Sequence, residues 1–283
     1  MLNVLLVNLR AIPILSGPNF SQNPDLNILN FALTLEHLES AFYSQGLNNF
    51  SAQSFQNAGY GPQVYPLFQQ IAAHESSHVS KLTSIIQSLN GNPVPPCTYN
   101  FNVPNVNAFV DTAKALENTG VSAYLGAAFG ITDHNILSLA SSILTVEARQ
   151  GTMLKILENT NPYPNTFDIG LDSREITSIA SQFIVQCNYN LPKPFPTFAV
   201  SKNSGKVGDS IGITFGSTNG ALNCVFLTGS GRNVFVPLTQ GQCQVPSVNT
   251  GGDTYVILTT ASSMQNFNDG TTVAGPVPFT ITQ

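Results

Sequence analysis

A glutamate followed by a fixed partner seven residues later occurs four times in this chain, and this repeat restricts the possible folds more than any other feature. In two of the four segments the partner is a tyrosine, and in the other two it is a leucine. The four pairs are Glu36–Tyr43, Glu75–Leu82, Glu117–Tyr124 and Glu147–Leu154. Since the order is tyrosine, leucine, tyrosine, leucine, the first two segments resemble the last two, which indicates a bundle made by duplicating a helical hairpin.

The same four segments carry residues that can bind metal ions. Residues three apart in a helix lie on one side of it, so Glu75 and His78 can point at a common centre. Di-iron and di-manganese bundles use a Glu from each of two helices and a Glu-x-x-His pair from each of the other two. The candidate ligands for Fe or Mn, as a pair or a single ion, are Glu36, Glu75, His78, Glu117 and Glu147.

The sixth position of that ligand set departs from the pattern, because Gln150 stands where a histidine would complete the second Glu-x-x-His pair. We therefore class Gln150 as a degenerate ligand or as a side chain that surrounds the site. Tyr43, Tyr124 and Glu39 are placed in the same surrounding group, and no catalytic residue is assigned.

Charge is scarce in this protein, which makes glutamates in apolar helices notable. Only 9% of the 283 residues are Asp, Glu, Lys or Arg, against roughly 25% in an ordinary soluble protein. A buried carboxylate costs several kcal/mol unless it is paired, protonated or metal-bound. Two interpretations remain open: one or two divalent ions neutralise the carboxylates, or they form a metal-free polar core of protonated and hydrogen-bonded groups.

Five helices are predicted in the first part of the chain. Asn23 before Pro24 is a typical helix start, and Asp172 with Glu175 fits a capping box in which Asp takes the place of Ser or Thr. Apolar residues at helical spacing fill the segments between these signals. The predicted helices cover about residues 23–46, 62–90, 107–130, 133–161 and 172–187.

The sequence changes character near residue 190, where the glutamates and histidines end and short β-branched runs begin. Six or seven short strands with Gly- and Asn-rich turns favour an Ig-like β-sandwich. The expected fold is multidomain α plus β, a helical bundle of four long helices and a fifth, followed by this sandwich. The predicted parts are 1–22, an N-terminal arm or signal remnant; 23–189, the bundle; 190–196, a proline-rich linker; and 197–283, the sandwich.

Several features favour secretion. The four cysteines lack the C-x-x-C spacing of zinc and redox sites, and we expect Cys97–Cys187 and Cys224–Cys243 disulfides because this pairing keeps each bond within one predicted domain. Asn19 and Asn49 begin N-glycosylation sequons. A disulfide framework with glycosylation is typical of an oxidising compartment. Residues 1–18 resemble a poorly formed signal peptide, or else an arm that lies on the fold.

Two classes of partner are disfavoured by composition. A net charge of −5 with ten scattered basic residues offers no patch to neutralise phosphates, so we expect no nucleic-acid binding. No apolar run reaches the roughly 20 residues that a membrane span requires, so we expect none.

Four motifs in order resemble one known family. LNFALTLEHLESAFY, IAAHESSHVSKL, ALENTGVSAYLGA and SILTVEARQ are similar to the secreted ferritin-like family that includes the plant desiccation-related proteins and the fungal Rds1-type stress-response proteins. The resemblance covers about residues 25–190 and implies an up-down bundle and secretion. Family members usually read EARH where this chain ends in Gln150, which puts a symmetric two-metal site in doubt.

Three functions follow from these observations. The favoured one is a non-enzymatic, extracellular stress- or desiccation-associated protein with a structural or interaction role and a degenerate metal site. The second is a di-iron or di-manganese oxidoreductase that acts on O₂ or peroxide. The third is a self-assembling or adhesive protein that contacts the cell wall, the matrix or its own copies through strand edges of residues 197–283.

Overall fold

A computed structural model describes residues 21–216, 222–229, 233–248 and 251–282. Four long helices form the first part, where α1 packs against α3 and α4 packs against α5. None of the helices in these ranges is long and apolar enough to cross a lipid bilayer. The helices are α1 Pro24–Asn49, α2 Ala52–Asn57, α3 Val64–Ser88, α4 Val106–Ala127, α5 His134–Leu157 and α6 Ser173–Ala180.

The helix starts follow the capping signals in the sequence. The side chain of Asn23 accepts a hydrogen bond from the backbone of Asp25, and Asp133 does the same for Asn135 at the start of α5. Asp172 and Glu175 form the expected reciprocal capping box. The short helix α2 was not predicted, since six residues give too little apolar periodicity to detect.

The last predicted helix was wrong at its end. α6 stops at Ala180 and does not continue towards residue 187, because the chain turns into strand β2 (Ile184–Gln186), which pairs with strand β1 (Thr98–Tyr99). A disulfide bond joins Cys97 to Cys187 directly beside this two-stranded pair. The bond and the strands together tie the end of the helical part to the loop after α3.

The rest of the described chain is rich in β-strands that form two sheets. The larger sheet has the order β4-β10-β9-β6-β7 and the smaller has the order β3-β5-β8. Only β4 and β10 pair in parallel. The strands are β3 Ala199–Val200, β4 Ser204–Lys206, β5 Ser210–Thr214, β6 Asn223–Leu227, β7 Val234–Pro237, β8 Gln242–Gln244, β9 Gly252–Thr259 and β10 Thr272–Thr282.

The two sheets share an apolar core that includes Phe226, Val256 and Phe279. The expected disulfide between Cys224 on β6 and Cys243 on β8 joins the two sheets. The six or seven expected strands fall short of the eight that are present from Ala199 onward in the described residues. Three-residue edge strands such as β4 and β8 pair through the backbone and leave almost no side-chain pattern in the sequence. That these sheets are an Ig-like domain, and that residues 190–196 are its boundary, stay predictions.

The larger sheet is apolar on both faces, and its outer face packs on the helices. Successive side chains of a strand point to opposite faces. On β6, Phe226 therefore faces the smaller sheet while Val225 and Leu227 face the helical part. The residues that meet across this second interface are Val225, Leu227, Tyr255 and Ile257 from the sheet and Ile169, Leu171, Ile176 and Ile179 from the helical side.

Polar contacts accompany this interface. Tyr255 Oη lies 3.0 Å from Ser122 Oγ on α4, and Lys155 Nζ lies 3.2 Å from Asp253 Oδ2. The proline-rich segment lies against α6, where the N–H of Phe195 donates to Ser178 Oγ at 2.8 Å. The helical and β-rich parts are therefore in extensive contact.

Gly126 allows the loop before α6 to approach α4. Leu171 N–H donates to the carbonyl of Ser122 on α4, and a methyl group at Gly126 would overlap the carbonyl oxygen of Leu171.

We expect Gly126→Ala to destabilise the protein by about 1–3 kcal/mol, because the backbone of the loop has to move. Urea unfolding measures the change. Gly216→Ala is the matched control, since its new methyl group meets nothing within 4 Å, and equal effects in the two variants would contradict the argument.

Candidate metal centre

Each of the four long helices places one glutamate at the centre of the bundle. Glu75, Glu117 and Glu147 are 0% exposed and Glu36 is 1% exposed. Each residue lies on a helix whose other inward-facing side chains are mainly apolar. The repeat in the sequence thus becomes a cluster of four carboxylates in the protein interior.

Two tyrosines bind two of these carboxylates in a reciprocal way. Tyr43 on α1 donates its hydroxyl hydrogen to Glu117 on α4, and Tyr124 on α4 donates to Glu36 on α1. Seven residues are about two helical turns, so each tyrosine lies on the same face as the glutamate of its own helix. The offset seen in the sequence therefore reflects two crossed hydrogen bonds between α1 and α4.

His78 connects two further carboxylates. Its Nδ1 lies 3.0 Å from Glu75 Oε2 and 3.2 Å from Glu36 Oε2. The spacing of three residues within α3 brings Glu75 and His78 together, as expected, while α1 supplies the third group. Four side chains bring one possible ligand atom each to within 4.8 Å of all the others: Glu36, Glu75, His78 and Glu147.

Gln150 lies at the cluster as a hydrogen-bond donor. Its amide nitrogen donates to Glu75 Oε1 at 2.9 Å and lies 3.4 Å from His74 Nδ1. His74 was not expected to contact the cluster, and nothing in the sequence distinguishes it from a solvent-facing residue beside Glu75. Gln150 therefore joins α5 to α3 by hydrogen bonding to an opposing ligand candidate.

Some buried oxygens in the cluster have no hydrogen-bond partner within the described ranges. These are both carboxylate oxygens of Glu147, Oε2 of Glu117 and Oε1 of Gln150. An unpaired buried polar atom costs about 1–3 kcal/mol, and more when it is charged. Unpaired carboxylate oxygens at the centre of a bundle are the donor atoms that a divalent cation would satisfy.

One determinant of the site was missed in the sequence. Gly120 lies three residues after Glu117, at the position that Glu39 has relative to Glu36 in the repeat. A side chain there would overlap Glu147 Oε2, so the glycine provides the space for that carboxylate. Glu39 is 4% exposed and borders a small cavity together with Gly120. A lone glycine inside a helical pattern was the available signal.

The surroundings favour the neutral form of the carboxylic acids of Glu36, Glu39, Glu117 and Glu147 when no cation is bound. Burial raises the pKa of Glu36 to about 7, and the negative charge of Glu75 contributes. Burial together with neighbouring carboxylates also raises the pKa values of Glu39, Glu117 and Glu147 well above their usual range. For His78, burial alone lowers the pKa, but its contacts with Glu36 and Glu75 raise it to about 10.

The donor set fits a divalent transition-metal ion. Carboxylates suit Mn and Mg, and imidazole suits Fe and Zn, so carboxylates with one imidazole favour Fe or Mn. The unpaired oxygens of Glu147 and Glu117 give such an ion a physical reason to bind. Gln150 takes the place of a second histidine ligand and donates a hydrogen bond to Glu75. Imidazole is therefore available on one side of the cluster only.

Comparisons with known proteins identify a ferritin-like domain in the helical part of the chain. The family model described as a ferritin-like domain matches residues 24–160. Protein rds1 of Schizosaccharomyces pombe is 29% identical over 163 residues, which are 58% of this chain and 40% of that protein. The chain thus spans less than half the length of this curated relative.

Two crystal structures also resemble the chain. One is a ferritin-like, diiron-carboxylate protein of Bacillus anthracis, 19% identical with a TM-score of 0.42, covering 49% of this chain and 99% of its own. The other is a conserved hypothetical protein of Mycobacterium tuberculosis, 17% identical with a TM-score of 0.41, covering 50% of this chain and 96% of its own. Residues 24–160 of this chain thus match a ferritin-like domain, and the chain is similar in sequence to an Rds1 protein over 58% of its length.

Proposed function

We propose that this protein binds Fe or Mn at the carboxylate cluster and acts as a ferritin-like stress protein outside the cell. The observation that carries the proposal is Glu147, whose carboxylate is fully buried and has no hydrogen-bond partner within the described chain. A protein that otherwise avoids charge keeps this group between Glu36, Glu75 and His78. A cation is the simplest source of the missing interaction.

The residues have separate parts in this proposal. Glu36, Glu75, His78 and Glu147 would hold one ion, and the unpaired oxygens of Glu117 and Glu147 would be available to a second ion without an imidazole ligand. Tyr124 and Tyr43 orient the carboxylates of Glu36 and Glu117 through their hydrogen bonds. Apolar side chains around the cluster exclude water. A bound Fe or Mn ion would supply one-electron chemistry with O₂ or peroxide, which is the oxidoreductase alternative.

A purely structural role is the second candidate, and specific contacts favour it. The two tyrosine hydroxyls, the Gln150 amide and His78 already satisfy part of the carboxylate cluster. In this case the protein contributes stability and surface contacts in the wall or matrix. Two disulfides are compatible with an oxidising compartment. Of the two expected glycosylation sites, Asn49 is exposed at the end of α1. Asn19 lies outside the described residues, as do residues 1–20 of the expected arm. Contacts with matrix or other copies would use the edge strands β4 and β7.

Replacing Glu147 tests the metal proposal. We expect Glu147→Gln to weaken Mn(II) binding by at least about tenfold, since it removes a charged ligand where even supporting residues change affinity 10- to 100-fold. Isothermal titration of the chelator-treated full chain measures the affinity and the number of ions per chain.

The matched control is Glu158→Gln, the same change at the residue that follows the last turn of α5, where Glu158 pairs with Lys114 outside the cluster. Its Mn(II) affinity is expected to equal that of the wild type. Absence of binding in the wild-type chain, or equal affinities for the Glu147 and Glu158 variants, would favour the metal-free structural role.

A further inference from the structure

An apolar pocket leads from the surface of the helical part to Tyr124. It lies between α1, α4 and α5, with one contribution from α3, and all of its lining side chains are apolar except that of Tyr124. Ala32, Leu35 and Leu139 are half-buried and lie towards the surface, whereas Ala123 and Ala140 are buried. The pocket therefore reaches from the exterior to the ring that supports Glu36.

The pocket has room for one small molecule. The volume of the pocket is about 20 Å³. A cavity of roughly 10–15 Å³ is enough to hold a single water molecule. A substrate of drug-like size is excluded, because such ligands need several hundred Å³. The occupant must be about as large as a diatomic gas or a single water molecule.

The lining distinguishes between these occupants. A buried water requires two to four polar partners, and the Tyr124 hydroxyl, whose hydrogen is already donated to Glu36, is the only polar side-chain group lining this pocket. Hydrogen peroxide meets the same obstacle as water, because its two hydroxyl groups would lose their hydrogen bonds. An apolar molecule loses nothing on entering, and dry apolar cavities of proteins do bind xenon.

We propose that this pocket is a binding site for a small apolar molecule of the size of dioxygen, with the ring of Tyr124 separating the bound molecule from the Glu36 carboxylate. The site is distinct from the candidate metal ligands, because none of them lines the pocket. Its use rests on the proposed function: it would bring dioxygen, and not peroxide, to the side of the cluster that contains Glu36 and His78.

Xenon binding to the metal-free, full-length protein tests the site, with ¹²⁹Xe chemical shifts or a crystal under xenon pressure as the measurement. We expect saturable binding in the wild type. Ala32→Leu narrows the half-buried mouth and should abolish it, while Leu139→Ala widens the pocket and should increase it. Ala72 is half-buried on α3 and packs against apolar side chains that do not line the pocket, so Ala72→Leu should leave xenon binding unchanged. Because the two pocket variants act in opposite directions, a folding defect in one leaves the test intact.

Three results would overturn the proposal: no saturable xenon binding in the wild type, equal binding in Ala32→Leu and Leu139→Ala, or an ordered water in the pocket. If Mn(II) or Fe(II) binds, oxidation of Fe(II) by dioxygen should slow in Ala32→Leu while oxidation by peroxide does not. Failure of metal binding would remove the proposed function but leave the xenon result standing, so the two failures are distinguishable.

Discussion

A chain that ends at Pro196 is expected to lose cooperative folding of its helical part. The larger sheet covers Ile169, Leu171, Ile176 and Ile179 on the helical side. Uncovering four buried aliphatic side chains, at about 1.5–3 kcal/mol each, removes about 6–12 kcal/mol. Total stabilities of domains are only about 5–15 kcal/mol. The remaining bundle is therefore expected to bind a hydrophobic dye and to aggregate.

Thermal unfolding followed by circular dichroism measures this effect in the truncated and full-length chains. A point substitution makes the same test without removing sequence. Ile257→Asp places a charge on a fully buried position of β9 that faces the helices, and it should unfold the helical part as well as the sheet. Val207→Asp is the matched control in the same β-rich region, because Val207 is 48% exposed, and surface changes stay within about 0.5 kcal/mol.

An independent bundle would give the opposite result. If the truncated chain melted cooperatively within a few degrees of the full-length protein, the contact between sheet and helices would contribute little. Its carboxylate cluster would then be a property of the chain up to Pro196, without the two sheets. The two outcomes decide whether studies of the metal centre can use the helical part without the sheets.

The helices and most of the cluster could be predicted from the sequence because both depend on local spacing. Asn23, Asp133 and Asp172 lie within a few residues of the amides they cap. Glu75 and His78 meet through the geometry of a single helix. These patterns are visible without knowledge of which helices are neighbours.

The remaining features depend on contacts between distant segments. The crossed Tyr43–Glu117 and Tyr124–Glu36 bonds join residues more than 70 positions apart, so the repeat suggested tyrosines near the site but not their partners. The run Cys224–Leu227 is apolar throughout, so the sequence predicts that both faces of β6 are buried. It does not predict what covers each face. Which helices cover it is decided by packing, which has no local signature.

Mn(II) is expected to weaken the pH dependence of the stability of this protein. In the metal-free chain, burial raises the pKa of Glu36 from about 4.5 unfolded to about 7 folded. Its contribution is therefore fully present below about pH 4.5 and is lost as the pH rises to about 7, amounting to about 3 kcal/mol at about 1.4 kcal/mol per pKa unit. Glu39, Glu117 and Glu147 act in the same direction, because burial also raises their pKa values.

His78 extends this loss to higher pH. Its pKa is raised from 6.5 to about 10 by Glu36 and Glu75, so its contribution is complete below pH 6.5 and declines above it. The metal-free protein should thus be most stable in mild acid and lose stability steadily through neutral pH. A bound ion replaces the protons as the partner of the carboxylates, and its affinity rises with pH because the ligands must be deprotonated.

Calorimetry from pH 4.5 to 8, with EDTA or with excess Mn(II), measures both curves. With EDTA the melting temperature should fall as the pH rises. Mn(II) at a fixed concentration of about 100 times its dissociation constant at pH 8 adds about 2.7 kcal/mol at that pH. Because binding weakens as the ligands are protonated, the difference between the curves should be small at pH 4.5 and largest near pH 8. Glu147→Gln, with at least tenfold weaker binding, should reduce this difference to about 1.4 kcal/mol or less, while Glu158→Gln keeps it. Parallel curves in wild-type protein would mean that the carboxylates are held by protons and hydrogen bonds alone, because only an ion that competes with those protons makes the two curves diverge.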